Sequence, residues 1–139
     1  MDKGIYKSKI KPFSGGRWVQ VSKKAYRLYN NIKARTKRRT YIRSAYFKGE
    51  KIFLEIFWRH LHQKENLRDK TRRVKYLPCA IELIENSYVQ PETKPHPKNH
   101  SETVHRFTGI TSSGMLFRVQ IKEDKNGGLW LMSIFPYDK

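Results

Sequence analysis

Apolar positions in the last third of the chain recur every second residue. Between Met115 and Glu123, Phe117, Val119 and Ile121 alternate with Arg118, Gln120 and Lys122, the period of a half-buried strand. The runs Thr103–Thr111 before it and Leu129–Pro136 after it are rich in β-branched and aromatic residues. Ser112-Ser113-Gly114 and Asp124-Lys125-Asn126-Gly127-Gly128 separate the three runs as turn signals. The pattern predicts an antiparallel three-stranded meander. On its last strand Trp130, Met132 and Ile134 form the more apolar set, which assigns Ser133 and Phe135 to the side carrying Arg118, Gln120 and Lys122. Period alone leaves open whether His105 or Arg106 joins that side.

Upstream the apolar spacing lengthens to three and four residues. Ala25, Leu28, Tyr29 and Ile32 predict a helix starting at about Lys23, with Ser22 as its N-cap and Arg17–Val21 a short extended piece before it. Glu50–Leu61 carries the strongest helical signal, with Ile52, Phe53, Ile56, Phe57, His60 and Leu61 on one core-facing stripe. Pro78 suits a first helical turn, and Ala80, Ile81 and Ile84 continue a short helix to Asn86-Ser87. Residues 1–16, with Lys3, Lys7, Lys9 and Lys11, read as a flexible basic arm. The remainder, 17–139, reads as one α+β domain: a helical basic half (17–87), a proline-rich loop (88–101) and a sheet (102–136). The expected architecture is N-terminal helices followed by a small antiparallel β-meander of three or four strands.

Charge changes the picture most. The 139 residues carry a net charge of +18, and all of it lies in the first half: residues 1–75 hold 23 Lys and Arg against 5 Asp and Glu, whereas residues 76–139 hold 7 of each. Such a field attracts polyanions, so RNA or another nucleic acid is the expected partner. Arg35, Lys37, Arg38, Arg39 and Arg43, interleaved with Tyr41, form one phosphate-gripping cluster, and Arg72, Arg73 and Lys75 form a second. A solvated helix end with favourable cations is the plainer reading of the first cluster. Cys79 is the only cysteine and lies in an apolar run, which fits a buried thiol and excludes an internal disulfide. His60 and His62 point apart on a helix. His96, His100 and His105 lack an accompanying set of carboxylates or thiols, so neither a metal nor a cofactor is expected. The start lacks a signal-peptide core and no run is long and apolar enough for a membrane span, which predicts a cytoplasmic protein with no membrane partner.

Walker, dinucleotide-binding, HExxH and nucleophile-elbow motifs are absent from the sequence, and its sparse acids form no cluster suited to a two-metal nuclease. Predicted helices leading into a compact sheet, His105 at the entry of its first strand, cations on its middle strand and the ending Ser133-Ile134-Phe135-Pro136 resemble a known superfamily. It is that of small ribonucleases and toxins grouping barnase, EndoU, colicin D and RelE, with phage- and mobile-element-borne branches. The likeness spans roughly residues 50–136. Colicin D-like members use a histidine with a nearby lysine, and a serine two residues before an aromatic on the last strand. His105, Ser133 and Phe135 occupy comparable positions, with Lys122 or Lys98 as the lysine; no glutamate stands out as a barnase-like general base. The resemblance implies a metal-independent endoribonuclease of the toxin type, acting on RNA such as tRNA through attack by the 2′-hydroxyl. His105 would then act as acid or base, Arg118 and Lys122 would neutralise the phosphate, Ser133 would bond a phosphoryl oxygen and Phe135 would stack a base. It also implies an acidic cognate inhibitor protein. The alternative is a non-catalytic, basic RNA- or DNA-binding accessory protein of a phage or mobile element.

Overall fold

The computed structural model describes residues 4–63 and 66–136. Lys3 of the basic arm and residues 137–139 of the expected domain lie outside the described residues. In chain order the elements are β1 (Ile5–Lys7), α1 (Trp18–Arg35), β2 (Tyr41–Arg43), β3 (Lys51–Phe53), α2 (Glu55–Gln63), α3 (Leu67–Val74), α4 (Leu77–Asn86), β4 (Glu92–Pro95), β5 (Thr103–Ile110), β6 (Leu116–Glu123) and β7 (Leu129–Pro136).

The chain is α+β, but helices followed by a small antiparallel meander is not its architecture. Seven strands form one mixed sheet in the order β1-β5-β6-β7-β3-β2, with β4 also on β5. β5, β6 and β7 are antiparallel. The first half of the chain adds strands at both sides. β3 runs parallel to β7 and carries β2 antiparallel on its outer edge. On the far side β1 pairs parallel with Thr108–Ile110 of β5, while β4, inside the segment expected to be loop, pairs antiparallel with Thr103–Arg106 of the same strand. Strands of three or four residues are too short to display a period, which is why the sequence pattern passes over them.

The helix expected over Glu50–Leu61 is divided. Lys51–Phe53 forms β3, Leu54 is buried, and α2 starts at Glu55, whose carboxylate suits the positive end of a helix. Helix α1 starts at Trp18, inside the stretch expected to be extended, because Val21, Ala25 and Ile32 together define its buried stripe. Ser22 lies inside it, its hydroxyl 3.4 Å from the Val19 carbonyl.

One face of the sheet and the apolar stripes of the helices share a single core. Ile52, Phe107, Phe117, Val119, Ile121, Leu131 and Ile134 meet Val21, Phe57, Leu61, Val74 and Leu83 there, with Cys79 also buried. Gly109 belongs to this packing, since a Cβ at that position would sit 2.8 Å from Phe117 Cε1. A register shift in β7 changes the expected faces. Ile121 pairs with Leu131 but Gln120 pairs with Ser133, so Met132 is an extra residue. Leu129, Leu131 and Ile134 therefore face the core, and Trp130 and Met132 do not.

The beginning of the chain is held to this scaffold by Glu82 of α4, only 7 % exposed. Its carboxylate accepts hydrogen bonds from Tyr6 Oη (2.7 Å), Ser8 Oγ (2.6 Å), the Lys9 amide (3.0 Å) and the Ile10 amide (3.0 Å). Residues assigned by composition to an arm thus run as β1 and then along α4, past Glu82 and Cys79. Burial pushes the Glu82 carboxyl up, but the bonds from Ser8, Ile10, Lys9 and Tyr6 outweigh it and hold the group below the usual carboxylate range. Burial and this carboxylate together push the Tyr6 hydroxyl up to about 12.

Candidate nucleic-acid interface

Side chains paired across neighbouring strands point to the same face. Opposite the core, one register row crosses six strands: Tyr41 on β2, Phe53 on β3, Trp130 on β7, Lys122 on β6, Val104 on β5 and Lys94 on β4. With neighbouring strands about 4.8 Å apart, the row is on the order of 24 Å long. Three aromatics occupy one end of it and two lysines the other.

The aromatic end opens into a cleft of about 500 Å³ lined by Arg35, Lys37, Arg38, Arg39, Tyr41, Lys51 and Phe53. The rings here brace cations. Arg39 places its guanidinium 4.8 Å from the Phe53 and Trp130 ring centres, and its Nε donates to Glu55 Oε1 at 3.0 Å. That arrangement anchors the side chain through Nε and leaves the two terminal nitrogens as a planar fork. Arg43 and Lys51 lie over Tyr41 at 5.6 and 4.7 Å, and Arg43 also donates to the Gly49 carbonyl at 2.9 Å. Trp130 is itself fixed by its indole N–H, which donates to Asp124 at 3.0 Å. The bonds from Trp130 and the Gly128 amide, more than offsetting desolvation, hold the Asp124 carboxyl below its ordinary range. A positioned cation loses less side-chain entropy on gripping a phosphate than a free one does.

The other end of the row opens into a second cleft, of about 310 Å³, lined by Glu92, Lys94, Pro95, His96, Pro97, Val104, Arg106 and Gln120. Arg106 donates to Gln120 at 3.3 Å and lies 3.8 Å from Glu92. His96 Nδ1 accepts from the Lys98 amide at 3.1 Å, so in the neutral ring the proton sits on Nε2.

The residues expected from sequence divide among these places. Arg35, Lys37, Arg38 and Arg39 converge on the larger cleft, and Arg43 stands beside it. Arg72 and Lys75 belong instead to a groove between α1 and α3, while Arg73 is bonded to Asp69 at 2.9 Å and lies over the Phe135 ring at 5.7 Å. Arg118, Lys122 and Ser133 share the face opposite the core, Arg118 being paired with Phe135, Ser133 with Gln120, and Lys122 lying 3.5 Å from Glu102. His105 is not with them. It pairs with Ile121 on the core side and is buried. Both its nitrogens are engaged, Nδ1 with Thr93 Oγ1 at 2.9 Å and Nε2 with Glu123 Oε1 at 2.8 Å, and its ring meets Phe47.

Sequence reasoning missed Lys51, Phe53 and Trp130 as parts of the basic cleft, and Glu92, His96 and Arg106 as neighbours. The cation-aromatic interleaving at Arg39-Thr40-Tyr41 was a visible signal; the rings contributed by β3 and β7 were not, because nothing local pairs those strands. Among the described residues no group of three His, Cys, Asp or Glu side chains is placed to hold a metal ion, and no helix is long and apolar enough to cross a membrane. Compared with protein-family models, curated proteins and solved structures, the chain matches none.

Proposed function

We propose that this protein binds nucleic acid across the sheet face opposite its core, with the basic cleft at the end of α1 as the principal phosphate site. The observation that carries the reading is the ring-braced cluster of Arg39, Arg43 and Lys51 beside Arg35, Lys37 and Arg38. Fixed cations of one sign suit a backbone of regularly spaced phosphates, and the row leading to Lys122 and Lys94 gives that backbone a path. The test is fluorescence anisotropy with a labelled single-stranded RNA and a DNA duplex. Replacing Arg39 and Lys51 with Gln should weaken binding about tenfold or more, whereas replacing exposed Lys11 and Lys23 should change it by no more than about twofold. Equal losses from both pairs would reject the cleft as the site.

A second reading, endoribonuclease, is favoured by one observation: the smaller cleft gathers a carboxylate, an imidazole and a guanidinium. Metal-free cleavage of RNA needs a base for the 2′-hydroxyl proton and an acid for the departing 5′-oxygen. Glu92 suits the role of base and His96, through its Nε2–H, that of acid, with Arg106 and Lys94 neutralising the phosphate; His105, held by Thr93 and Glu123, does not face this cleft. Incubation with RNA in EDTA should yield fragments ending in 2′,3′-cyclic phosphate, lost in Glu92→Gln and His96→Ala. RNA that stays intact with the unaltered protein would leave binding as the whole function.

A further inference from the structure

The groove between the start of α1 and the outer face of α3 differs in kind from the two clefts on the sheet. It measures about 470 Å³, and its floor is apolar: Trp18, together with Val19, 62 % exposed, and Leu67, 55 % exposed. Large aliphatic side chains this exposed, adjacent in space and surrounded by cations, are what a docking surface presents before its partner covers it. Arg17, Arg68 and Lys75 stand around this floor, and among the described residues no carboxylate lines it. Lys70, one turn away, places its ammonium 4.3 Å from the Trp18 ring and adds to the positive field. The groove lies away from the register row, on elements that contribute nothing to it.

We propose that this groove is a protein-docking site, and that its occupant is a segment of a partner protein in which one or two aliphatic or aromatic side chains are flanked by Asp or Glu. Charge selects the acidic flanks. The apolar floor selects against nucleic acid, because a phosphate backbone has nothing with which to cover Val19 and Leu67, whereas a leucine or phenylalanine removes them from water. Docking here would leave the clefts on the sheet open, so that a bound protein and a bound nucleic acid occupy the molecule together.

The test is selection of a displayed random-peptide library on the full chain, with Val19→Asp/Leu67→Asp as counter-target. Both residues are exposed, so the variants should keep the parent melting temperature; Leu67→Ser is a milder companion that introduces no charge. Selected peptides should carry an aliphatic or aromatic residue between acidic ones. In anisotropy at moderate salt, Leu67→Asp should weaken the winning peptide about tenfold and Leu67→Ser about threefold, with no change from Arg38→Gln. No enrichment, enrichment of peptides lacking either feature, or equal binding to the counter-target would overturn the proposal. So would a short single-stranded RNA that loses about tenfold in affinity on Leu67→Asp while peptide binding stays unchanged, which would give the groove to nucleic acid.

Discussion

Replacing Glu82 with Gln tests the anchoring of the first strand in a way that can be worked through in numbers. The carboxylate accepts from four donors at 2.6 to 3.0 Å, and one of them, Ser8 Oγ, belongs to a buried residue. A glutamine keeps one acceptor oxygen but turns an N–H₂ toward groups that are themselves donors. The exposed ends at Lys9 and Ile10 can recover bonds from water, so the loss reduces to the charge assistance and about one poorly met buried donor. With about 1.5–3 kcal/mol for a bond to a charged group, Glu82→Gln should destabilise by about 2–3 kcal/mol, and the melting temperature should fall by about 8 °C.

The pH dependence adds a second reading of the same contact. The Glu82 carboxyl is held below its usual range in the folded chain, so its contribution is complete above the ordinary carboxylate pKa and is lost as pH falls through the lowered one. Tyr6 has the opposite sign. Its hydroxyl is raised to about 12, so its contribution is complete below the ordinary phenol value near 10 and is lost as pH rises toward 12. Reversible urea unfolding at several pH values is the assay. The gap between parent and Glu82→Gln should be constant near neutrality and shrink below about pH 4. A gap under about 0.5 kcal/mol, or one that is flat down to pH 3, would refute the assignment of Glu82 as the anchor.

Three further outcomes follow from particular contacts. Gly109→Ala should destabilise by about 2 kcal/mol or more, measured by urea unfolding, because the new methyl meets the ring of fully buried Phe117. His105→Ala should lower stability by about 2 kcal/mol through the lost bonds to Thr93 and Glu123, while nucleic-acid affinity measured below the unfolding transition should change less than about twofold. Trp130→Leu should weaken nucleic-acid binding about threefold in anisotropy, since it removes one of the two rings beneath Arg39 without removing a charge.

Legibility in the sequence followed length and charge. β5 to β7 were readable because eight residues give alternation room to appear, and α4 because Pro78 and the apolar residues after it agree on a helix. β1 to β4 were not, since three or four residues are too few to show a period, and Ile5–Lys7 and Lys51–Phe53 join the central sheet through partners more than seventy residues away in sequence. Lys51–Phe53 also sits directly before a genuine helix, and its two apolar residues extend that helix's stripe by coincidence of spacing. The bulge at Met132 could not be foreseen either, and it decides that Trp130 joins Lys122 and Phe53 on the cation-bearing face. Charge density located the Arg35–Arg39 cluster directly. What composition could not supply was the bracing, in which Phe53 and Trp130 hold Arg39 while Glu55 fixes its Nε. For His105, period left its side of the strand open; its pairing with Ile121 turns it inward, away from Arg118 and Lys122.

The salt dependence of nucleic-acid affinity tests the account where it is most exposed. Two variants of equal net charge are compared with the parent: one with Arg35, Lys37, Arg38 and Lys51 changed to Gln, the other with Lys11, Lys23, Lys98 and Lys125 changed to Gln. If the cleft grips the phosphates, removing its four cations should flatten the slope of log K against log salt by about 3, and the second set should flatten it by less than about 1. Equal flattening by both would mean that the protein's overall charge, and not the ring-braced cleft, holds the polyanion.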